Sequence, residues 1–344
     1  MGEEYSLNDE IDQFFLKTSA TRQECDKTAI ELVGGTITPA AVQGVCSYTV
    51  YAGPRDEYVV QFRVQSLQLP METAGLAKRV FGDFAPDVTF KGKIGDETEE
   101  QEPLFVYVMN RMQGISHLDF ILAHNEPENF PEWFQWRKNL IMDLARFFAL
   151  SLESPQSVDA SFRDNLHLSY KRDMELLLTS LPERFHPIVR QTLDSLPAIL
   201  KLSIVLLHKD FGSSNILVDS TTCHLVGVID WAEAEVGPFG LNLYSVQRFT
   251  SKVHLRNGVI RYEDFDALEN MFWLVLRSEI PELDDEKVVE TIKAASNLGQ
   301  LLSRGFTSRL ANMPAPIPIK DDESGAYNLM ILDGMLTDQV TRVL

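Results

Sequence analysis

The amino-acid sequence predicts an α+β fold in two parts, a strand-rich N-terminal part and a mainly helical C-terminal part. Runs of β-branched and aromatic residues, separated by turn residues, are concentrated before Met109. After Gly114 the apolar residues recur at helical spacing over long stretches. We therefore place one domain at residues 1–110 and a second at residues 111–344.

Capping signals mark the first helices. Residues 8–17 alternate polar with apolar side chains and predict a short helix. Thr21, followed by Glu24 three residues later, has the pattern of a capping box and begins a second helix. Gly34 and Gly35 end that helix, because glycine readily adopts the backbone conformation of a helix terminus.

Strands dominate the rest of the N-terminal part. Segments 45–51 and 58–67 read as strands, and the turn residues between them, 53–56, predict a hairpin. A helix over 71–81 follows Pro70. The remaining predicted elements are strands at 88–93 and 104–109, which a solvated acidic run at 95–102 separates.

Helices dominate the C-terminal part. The longest predicted helix carries Trp133, Trp136, Leu140 and Leu144 at helical spacing. The predicted helices cover 132–152, 174–178, 187–200, 262–277, 285–302 and 329–343.

Composition excludes several classes of protein. With 31 Lys+Arg against 50 Asp+Glu, the net charge of −19 argues against nucleic acid, whose phosphates require basic patches. No apolar run approaches the ~18 residues that span a bilayer, so we expect no membrane partner. The acidic N-terminus lacks the features of a signal peptide. Three widely spaced cysteines form no disulfide or zinc pattern, so we expect a reducing, cytoplasmic location.

One segment carries a pattern typical of catalysis. His208 and Asp210 are followed by Asn215, and an apolar strand over 225–229 then ends at Asp230. Phosphoryl transfer from a nucleotide explains each residue, because the first Asp can take the proton of the acceptor hydroxyl. The Asn oxygen and the later Asp can hold magnesium ions, which prefer oxygen ligands.

Each residue taken alone also fits an ordinary structural role. His-x-Asp by itself says little, Asn215 can be a turn residue, and Asp230 can cap a helix that begins at Ala232. The order, the spacing and the flanking apolar strands together favour the kinase-type interpretation. Ile216–Val218 and 225–229 are then expected to pair and to bring the three groups together.

These residues resemble the aminoglycoside phosphotransferase and choline kinase-like family of the protein-kinase-like fold. The family pattern His-Gly-Asp-x-x-x-x-Asn, then Ile-Asp-Trp, stands here as His208-Lys209-Asp210 to Asn215 and Ile229-Asp230-Trp231. The sequence is most similar in style to uncharacterised fungal members. The resemblance covers roughly residues 30 to 300, and its C-terminal motifs are the specific ones.

The resemblance implies a bilobal fold, with a five-stranded antiparallel sheet plus helix in the N-lobe and a mainly helical C-lobe. It implies ATP between the lobes, with adenine against the hinge backbone at Met109, Asn110 and Arg111. It implies an ATP- and Mg2+-dependent kinase acting on a hydroxyl of a small molecule. A protein kinase is less favoured, because no Ala-Pro-Glu segment follows Asp230.

The sequence departs from the family pattern at the phosphate-binding positions. Lys209 stands where Gly is expected, so its side chain points either to solvent or to a phosphate. The third strand lacks the usual Lys, and Gln61 and Arg63 share the face where it is expected. Arg63 can serve instead, since guanidinium suits phosphate oxygens. Glu72 is the candidate acid for orienting this cation, and it also fits an exposed residue at a helix N-terminus, where the helix dipole favours Glu.

The phosphate-covering loop is expected to include Gly44 and Ser47, although Gly44 alone is also an ordinary turn residue. Asn242 stands where the family has an Asp that braces the catalytic loop.

Two functional hypotheses remain. The first is the small-molecule kinase. The second is a non-catalytic kinase-like protein that binds a ligand or partner, which the missing strand Lys and Lys209 suggest. The intact set of Asp210, Asn215 and Asp230 favours the enzyme. The sequence does not identify the acceptor.

Overall fold

The structure is a computed structural model that describes residues 6–124, 127, 129–307, 313–339 and 341. The described residues form two compact units, one up to Gln113 and one from Gly114 onward. Within the described residues, no helix has the length and apolar character that crossing a bilayer requires.

The N-terminal unit is built on one antiparallel sheet of five strands, in the order β1-β2-β3-β5-β4. Its central strands, β2, β3 and β5, lie close to the predicted positions. The strands are β1 (Thr38–Pro39), β2 (Ser47–Ala52), β3 (Tyr58–Val64), β4 (Val88–Ile94) and β5 (Leu104–Asn110). The helices are α1 (Leu7–Phe15), α2 (Arg22–Val33) and α3 (Met71–Phe81).

The two N-terminal helices cover one face of this sheet. Thr21 caps α2 as predicted, because its side chain accepts from the Glu24 N–H and the Glu24 side chain accepts in return from the Thr21 N–H. Burying this apolar face is the main source of the unit's stability. The face is formed by Tyr48, Val50, Val60, Phe62, Val106 and Val108, and the helices add Ile11, Phe14, Cys25 and Ala29.

The C-terminal unit is mainly helical. The long helix α5 packs against α8, α6 packs against α7, and α7 packs against α9. The helices are α4 (His117–Ala123), α5 (Pro131–Glu153), α6 (Ala160–Ser180), α7 (His186–Ile199), α8 (Phe265–Glu279), α9 (Glu286–Arg304) and α10 (Ala326–Leu332).

Three small antiparallel sheets lie among these helices. The sheet β6-β8-β9 contains the predicted pair, in which Ile216 lies opposite Val228. The other two sheets pair β7 with β10 and β11 with β12. The strands are β6 (Ile115–Ser116), β7 (Ile204–Leu207), β8 (Ile216–Val218), β9 (Leu225–Val228), β10 (Glu235–Pro238), β11 (Ser251–His254) and β12 (Gly258–Arg261).

The C-terminal unit differs from the sequence prediction in two helices. Helix α6 is much longer than the predicted segment 174–178. The prediction was too short because only Tyr170, Asp173, Met174 and Leu177 of this helix are buried, so most of it shows no apolar period. The predicted helix 329–343 is wrong in extent. The α-helix ends at Leu332, a π-helical turn covers Asp333–Thr337, and residues 340 and 342–344 lie outside the described residues.

A close approach at Gly299 fixes α9 against the 3-10 helix Leu243–Phe249. A Cβ built on Gly299 would overlap the carbonyl oxygen of Leu241 and lie 3.0 Å from Cδ1 of Tyr244. Only a glycine fits there, although it weakens the helix itself.

Gly299 and Gly75 give a test of this packing with opposite expected signs. Gly299→Ala should lower the free energy of unfolding by about 1–3 kcal/mol or more, because overlap with backbone outweighs the gain in helix propensity. Gly75→Ala in α3 should raise it by about 0.5–1 kcal/mol, because the added Cβ meets only the flexible Arg79 side chain, at 3.4 Å. Unfolding followed by calorimetry measures both, and a stabilising Gly299→Ala would contradict the described packing.

Candidate functional site

The loop between β7 and β8 brings two of the predicted residues into contact. The Asn215 amide nitrogen, Nδ2, donates to Oδ2 of Asp210 at 2.9 Å and to the Asp210 backbone oxygen at 2.9 Å. Because both partners are acceptors, the amide nitrogen must face Asp210 and the amide oxygen Oδ1 must point elsewhere. Asp210 is exposed and Asn215 is half-buried. The loop therefore presents a carboxylate, and its neighbour offers an amide oxygen.

Asp230 lies beside this pair because the backbone ties it there. The N–H of Ile229 donates to the Asn215 carbonyl oxygen at 2.9 Å, next to the end of β9. Asp230 itself is exposed and has φ 60° and ψ 67°, a left-handed conformation that costs a non-glycine residue about 1 kcal/mol or more. A 3-10 helix, Trp231–Glu233, follows Asp230, but the Asp230 side chain does not cap it. The helix-cap interpretation is therefore wrong.

His208 holds this arrangement from inside the core. The residue is 2% exposed, its Nε2 donates to the Ile229 carbonyl oxygen at 2.9 Å, and the Trp231 ring packs on it with centroids 4.7 Å apart. Burial lowers the pKa of His208, which keeps the imidazole neutral. The sequence predicts a catalytic role for His208, and the structure places its side chain in the core, in contact with the backbone next to Asp230.

His117 is a residue whose role the sequence analysis missed. It is 7% exposed, its Nδ1 lies 3.1 Å from Oγ of Ser213, and the neighbouring Leu118 N–H donates to the Ser213 carbonyl oxygen at 3.0 Å. These two contacts hold the middle of the loop between Asp210 and Asn215. The residues lie 96 positions apart, so spacing along the sequence gives no sign of the contact.

Lys209 and Asn242 are the two departures from the family pattern in the C-terminal unit. Nζ of Lys209 forms an ion pair with Glu235 at 2.9 Å, and both side chains are substantially exposed, so the pair adds little stability. Asn242 is buried and its backbone oxygen accepts from the Ser245 hydroxyl at 2.5 Å. Among the described residues its side chain makes no hydrogen bond to the loop at 208–215. In the described part of the chain, Asn242 therefore does not support the catalytic loop through its side chain.

The N-terminal unit carries its predicted phosphate ligands on the sheet face opposite α1 and α2. Ser47 lies opposite Arg63 and Thr49 lies opposite Gln61 in the β2-β3 register. The Gln61 amide links Thr49 to Arg63. Its Nε2 donates to Thr49 Oγ1 at 3.3 Å, and its Oε1 accepts from Arg63 Nη1 at 3.3 Å. We call Ser47, Thr49, Gln61 and Arg63 the polar stripe.

Arg63 is the cation of the polar stripe. It is 5% exposed, and its Nε donates to the Leu67 carbonyl oxygen at 2.8 Å. Glu72, the predicted acidic partner, is exposed in the first turn of α3, and no ion pair between the two is found among the described residues. Within the N-terminal unit, the Leu67 carbonyl and the Gln61 amide both accept hydrogen bonds from the Arg63 guanidinium.

The predicted phosphate-covering loop is anchored through Gln43. Its Nε2 donates to the backbone oxygens of Ala40 at 2.9 Å and Thr49 at 3.0 Å, and its Oε1 accepts from the Thr49 N–H at 2.8 Å. Gly44 is exposed, and nothing lies within 4 Å of a Cβ built on it. The loop tip is therefore open, while its base is tied to β2.

The predicted hinge residues end the strand β5. Met109 is half-buried, and the side-chain oxygen of Asn110 accepts from the Asp87 N–H at 2.7 Å. The Arg111 N–H donates to the Glu57 carbonyl oxygen at 2.8 Å, and its guanidinium lies 3.9 Å from the centre of the Tyr51 ring. The structure orders all three residues within the N-terminal unit.

The donor set around Asp230 fits magnesium. Asn215 commits its amide nitrogen to Asp210 and so presents Oδ1, and Asp230 presents a carboxylate. Both are the hard oxygen ligands that magnesium takes, usually one or two from protein with the rest from phosphate and water. Among the described residues no cluster of three or more His, Cys, Asp or Glu is placed to hold a metal.

Comparison with known proteins gives one family match. The model of the phosphotransferase enzyme family (APH) matches residues 52–269. This range includes the polar stripe residues Gln61 and Arg63 and the whole of the loop that carries Asp210 and Asn215. No match was found among curated proteins.

Several solved structures are similar to this chain at low sequence identity. A mutant aminoglycoside 2'-phosphotransferase IIIa in complex with GDP is 12% identical, with TM-score 0.49, covering 82% of this chain and 88% of its own. Plasmodium vivax ethanolamine kinase is 12% identical, with TM-score 0.47, covering 96% and 94%. A glucosamine kinase in complex with glucosamine, ADP and inorganic phosphate is 16% identical, with TM-score 0.48, covering 78% and 71%.

The buried His117 predicts how stability depends on pH. Burial lowers the pKa of His117 from 6.5 to about 4, so protonation favours the unfolded chain. The stabilising contribution is complete above pH 6.5 and is lost as the pH falls toward 4. Between pH 7 and pH 5 the wild type should lose about 2 kcal/mol of unfolding free energy through this group, and His208 adds to the loss in the same direction.

Urea unfolding of His117→Gln at the two pH values tests the assignment. The variant should show a smaller difference between pH 7 and pH 5 than the wild type. The exposed His167 on α6 gives a matched control, since His167→Gln should keep the wild-type difference. An unchanged difference in His117→Gln would show that another group causes the acid sensitivity.

Proposed function

The chain belongs to the phosphotransferase enzyme family, and from this premise we propose that it is an ATP- and magnesium-dependent kinase acting on a hydroxyl group of a small molecule. The observation that carries the proposal is the contact between the exposed Asp210 and Asn215, beside the left-handed Asp230. Asp210 and Asn215 share a side-chain hydrogen bond, and the backbone bond from Ile229 to Asn215 places Asp230 next to them in the fold.

Asp210 is proposed to receive the acceptor hydroxyl. Its Oδ2 already accepts the Asn215 amide, so the carboxylate is oriented, and being exposed it can also accept from a hydroxyl. The hydroxyl oxygen forms a bond to the γ-phosphorus of ATP as the bond to the bridging oxygen of ADP breaks. The hydroxyl proton passes to the Asp210 carboxylate.

Asn215 and Asp230 are proposed to hold magnesium. When bound, the ion neutralises charge on the phosphate oxygens. Asn215 has two proposed roles, because its amide nitrogen donates to Asp210 and its amide oxygen is left to bind the ion. The backbone bond between Asn215 and Ile229 keeps the two proposed ligands in register.

The N-terminal unit is proposed to bind the nucleotide through the polar stripe and the end of β5. Arg63, with Gln61 and Ser47 beside it, offers donors to phosphate oxygens. Gly44 gives the loop tip a backbone that a phosphate can approach without meeting a side chain. Backbone groups of Met109 to Arg111 are the candidates for contact with the adenine.

Substitution of the two acids separates binding from chemistry. Asp230→Asn should weaken MgATP binding at least tenfold, because it removes a charged metal ligand. Asp210→Asn should leave MgATP binding within about twofold and lower turnover by roughly 10²–10⁴-fold, the usual contribution of a general base. Thermal unfolding with ligand measures the first effect, since saturation at ~100 times Kd adds ~2.7 kcal/mol to the native state.

Asp194→Asn on the exposed side of α7 makes the same change of charge away from the site and should alter neither property. A wild type that shows no rise in midpoint with MgATP, or with MgGTP, would move the assignment to a non-catalytic kinase-like protein. A second result would lead to the same assignment. In it, MgATP raises the midpoint equally in wild type and Asp210→Asn, and the wild type phosphorylates no alcohol.

Arg63 gives an independent test in the N-terminal unit. Arg63→Met should raise the KM for MgATP tenfold or more, because a charge-assisted contact to phosphate is lost, while Arg63→Lys should recover part of it. Arg55→Met removes an exposed cation from the same unit and should leave KM unchanged. Equal KM values for wild type and Arg63→Met, with both folded, would assign Arg63 to structure alone.

A further inference from the structure

Two arginines of the C-terminal unit lie near Asp210 and have no role in the chemistry described so far. Arg248 is in the 3-10 helix Leu243–Phe249, and Arg304 ends α9. Both side chains are half-buried. Neither stands in a motif that the sequence analysis recognised.

Arg248 rests on the catalytic loop itself. A Cβ built on Gly212 would lie 2.8 Å from Nη1 of Arg248, so the guanidinium occupies the space that a side chain at 212 would fill. Gly212 is two residues after Asp210 and its carbonyl oxygen accepts from the Asn215 N–H at 2.9 Å. The guanidinium is therefore adjacent to the turn that presents Asp210.

Arg304 approaches the same place from α9. The close packing at Gly299 holds α9 against the 3-10 helix that carries Arg248, and Tyr244 touches both segments. Nη1 of Arg304 donates to the Asn328 side-chain oxygen at 3.3 Å, and its Cζ lies 5.8 Å from the centre of the Tyr327 ring. Burial and then the charge of Arg248 lower the pKa of Arg304, while Asp210 raises it.

The charges of this pair are not balanced within the described residues. Arg248 makes no hydrogen bond or ion pair there, and the one polar partner of Arg304 is a neutral amide. Other arginines of the same unit do meet carboxylates, at 3.0 Å for Arg137 and Asp264 and at 2.6 Å for Arg184 and Asp333. Two half-buried cations repel each other and cost desolvation free energy, so an anion bound between them would be stabilised.

We propose, building on the kinase function proposed above, that the acceptor alcohol carries a carboxylate or phosphate group, which Arg248 and Arg304 bind. Guanidinium groups suit both anions, because their planar N–H donors match the spacing of the oxygens. Since Arg248 adjoins the loop of Asp210, an anionic group held there brings a hydroxyl a few bonds away toward the carboxylate. The atoms balance as in the reaction above, and the anionic group of the acceptor is unchanged.

The first experiment compares small alcohols that differ in charge. Glycerate and glycerol 3-phosphate are the anionic probes, glycerol is the neutral one, and ethanolamine and choline are cationic. With radiolabelled MgATP, an anionic probe should have a kcat/KM at least tenfold above that of glycerol, and the better of the two anions identifies carboxylate or phosphate. Preference for a neutral or cationic probe would overturn the proposal.

Substitution then locates the effect. Arg248→Met and Arg304→Met should each raise the KM of the preferred anionic probe tenfold or more, with kcat for glycerol and KM for MgATP within about twofold of wild type. Arg190→Met, on the exposed side of α7, removes a cation elsewhere in the unit and should change nothing. A fall in kcat for every acceptor at constant KM would instead assign the pair to positioning Asp210, and would overturn the proposal.

Binding without turnover separates failure of this proposal from failure of the kinase function. The test adds glycerate or glycerol 3-phosphate at about 10 mM, at matched ionic strength. Either anion should raise the unfolding midpoint of the wild type and of Arg190→Met. Neither should raise it for the Arg248→Met/Arg304→Met double variant. Stabilisation by these anions without any by MgATP would keep the anion site and reject the kinase. Stabilisation by MgATP with none by either anion would keep the kinase and reject the anion site.

Discussion

The candidate site depends on how the backbone of Ile229 is held from both sides. Its N–H donates to the carbonyl oxygen of Asn215 and its C=O accepts from the buried imidazole of His208, each at 2.9 Å. Because both groups are fixed, the backbone conformation of the next residue, Asp230, is restricted, and Asp230 adopts the left-handed conformation. The strain of that conformation is offset by two partly buried hydrogen bonds, each worth about 1 kcal/mol. A neutral His208 is required throughout, because a donor at Nε2 faces the carbonyl and burial opposes a second proton.

Local patterns predicted much of the fold, and contacts distant in sequence account for what they missed. Helix α3 has the predicted bounds, and the capping box at Thr21 is confirmed, because such signals depend on neighbours three or four residues away. The hairpin of β11 and β12 was not predicted, since its strands are only four residues each and are largely polar. The same limit applies to α6, where a polar exposed face hides the helical period.

The site shows the same division between local and distant information. The spacing of Asp210, Asn215 and Asp230 along the chain was enough to predict that β8 and β9 pair and bring the last two together. No such spacing connects His117 with Ser213, or Arg248 with Gly212, because each pair comes together only through the tertiary fold. A lone His or Arg in a sequence has no period or motif that reveals its partner. Residues that orient a catalytic loop are therefore harder to predict than residues that make up its motif.

The net charge of the chain and the charge beside Asp210 have opposite signs, and each governs a different property. A net charge of −19 repels an anionic ligand over the Debye length of about 10 Å, which slows its approach at low salt. Burial and the charge of Arg248 lower the pKa of Arg304, and the carboxylate of Asp210 opposes that effect. At contact distance the two local cations outweigh the diffuse negative charge, because Coulomb energy varies inversely with distance and dielectric constant. An acidic surface is thus compatible with an anion-binding site. Moderate salt should speed the approach of an anion by screening the net negative charge, and it should weaken the short-range contact with the two arginines less.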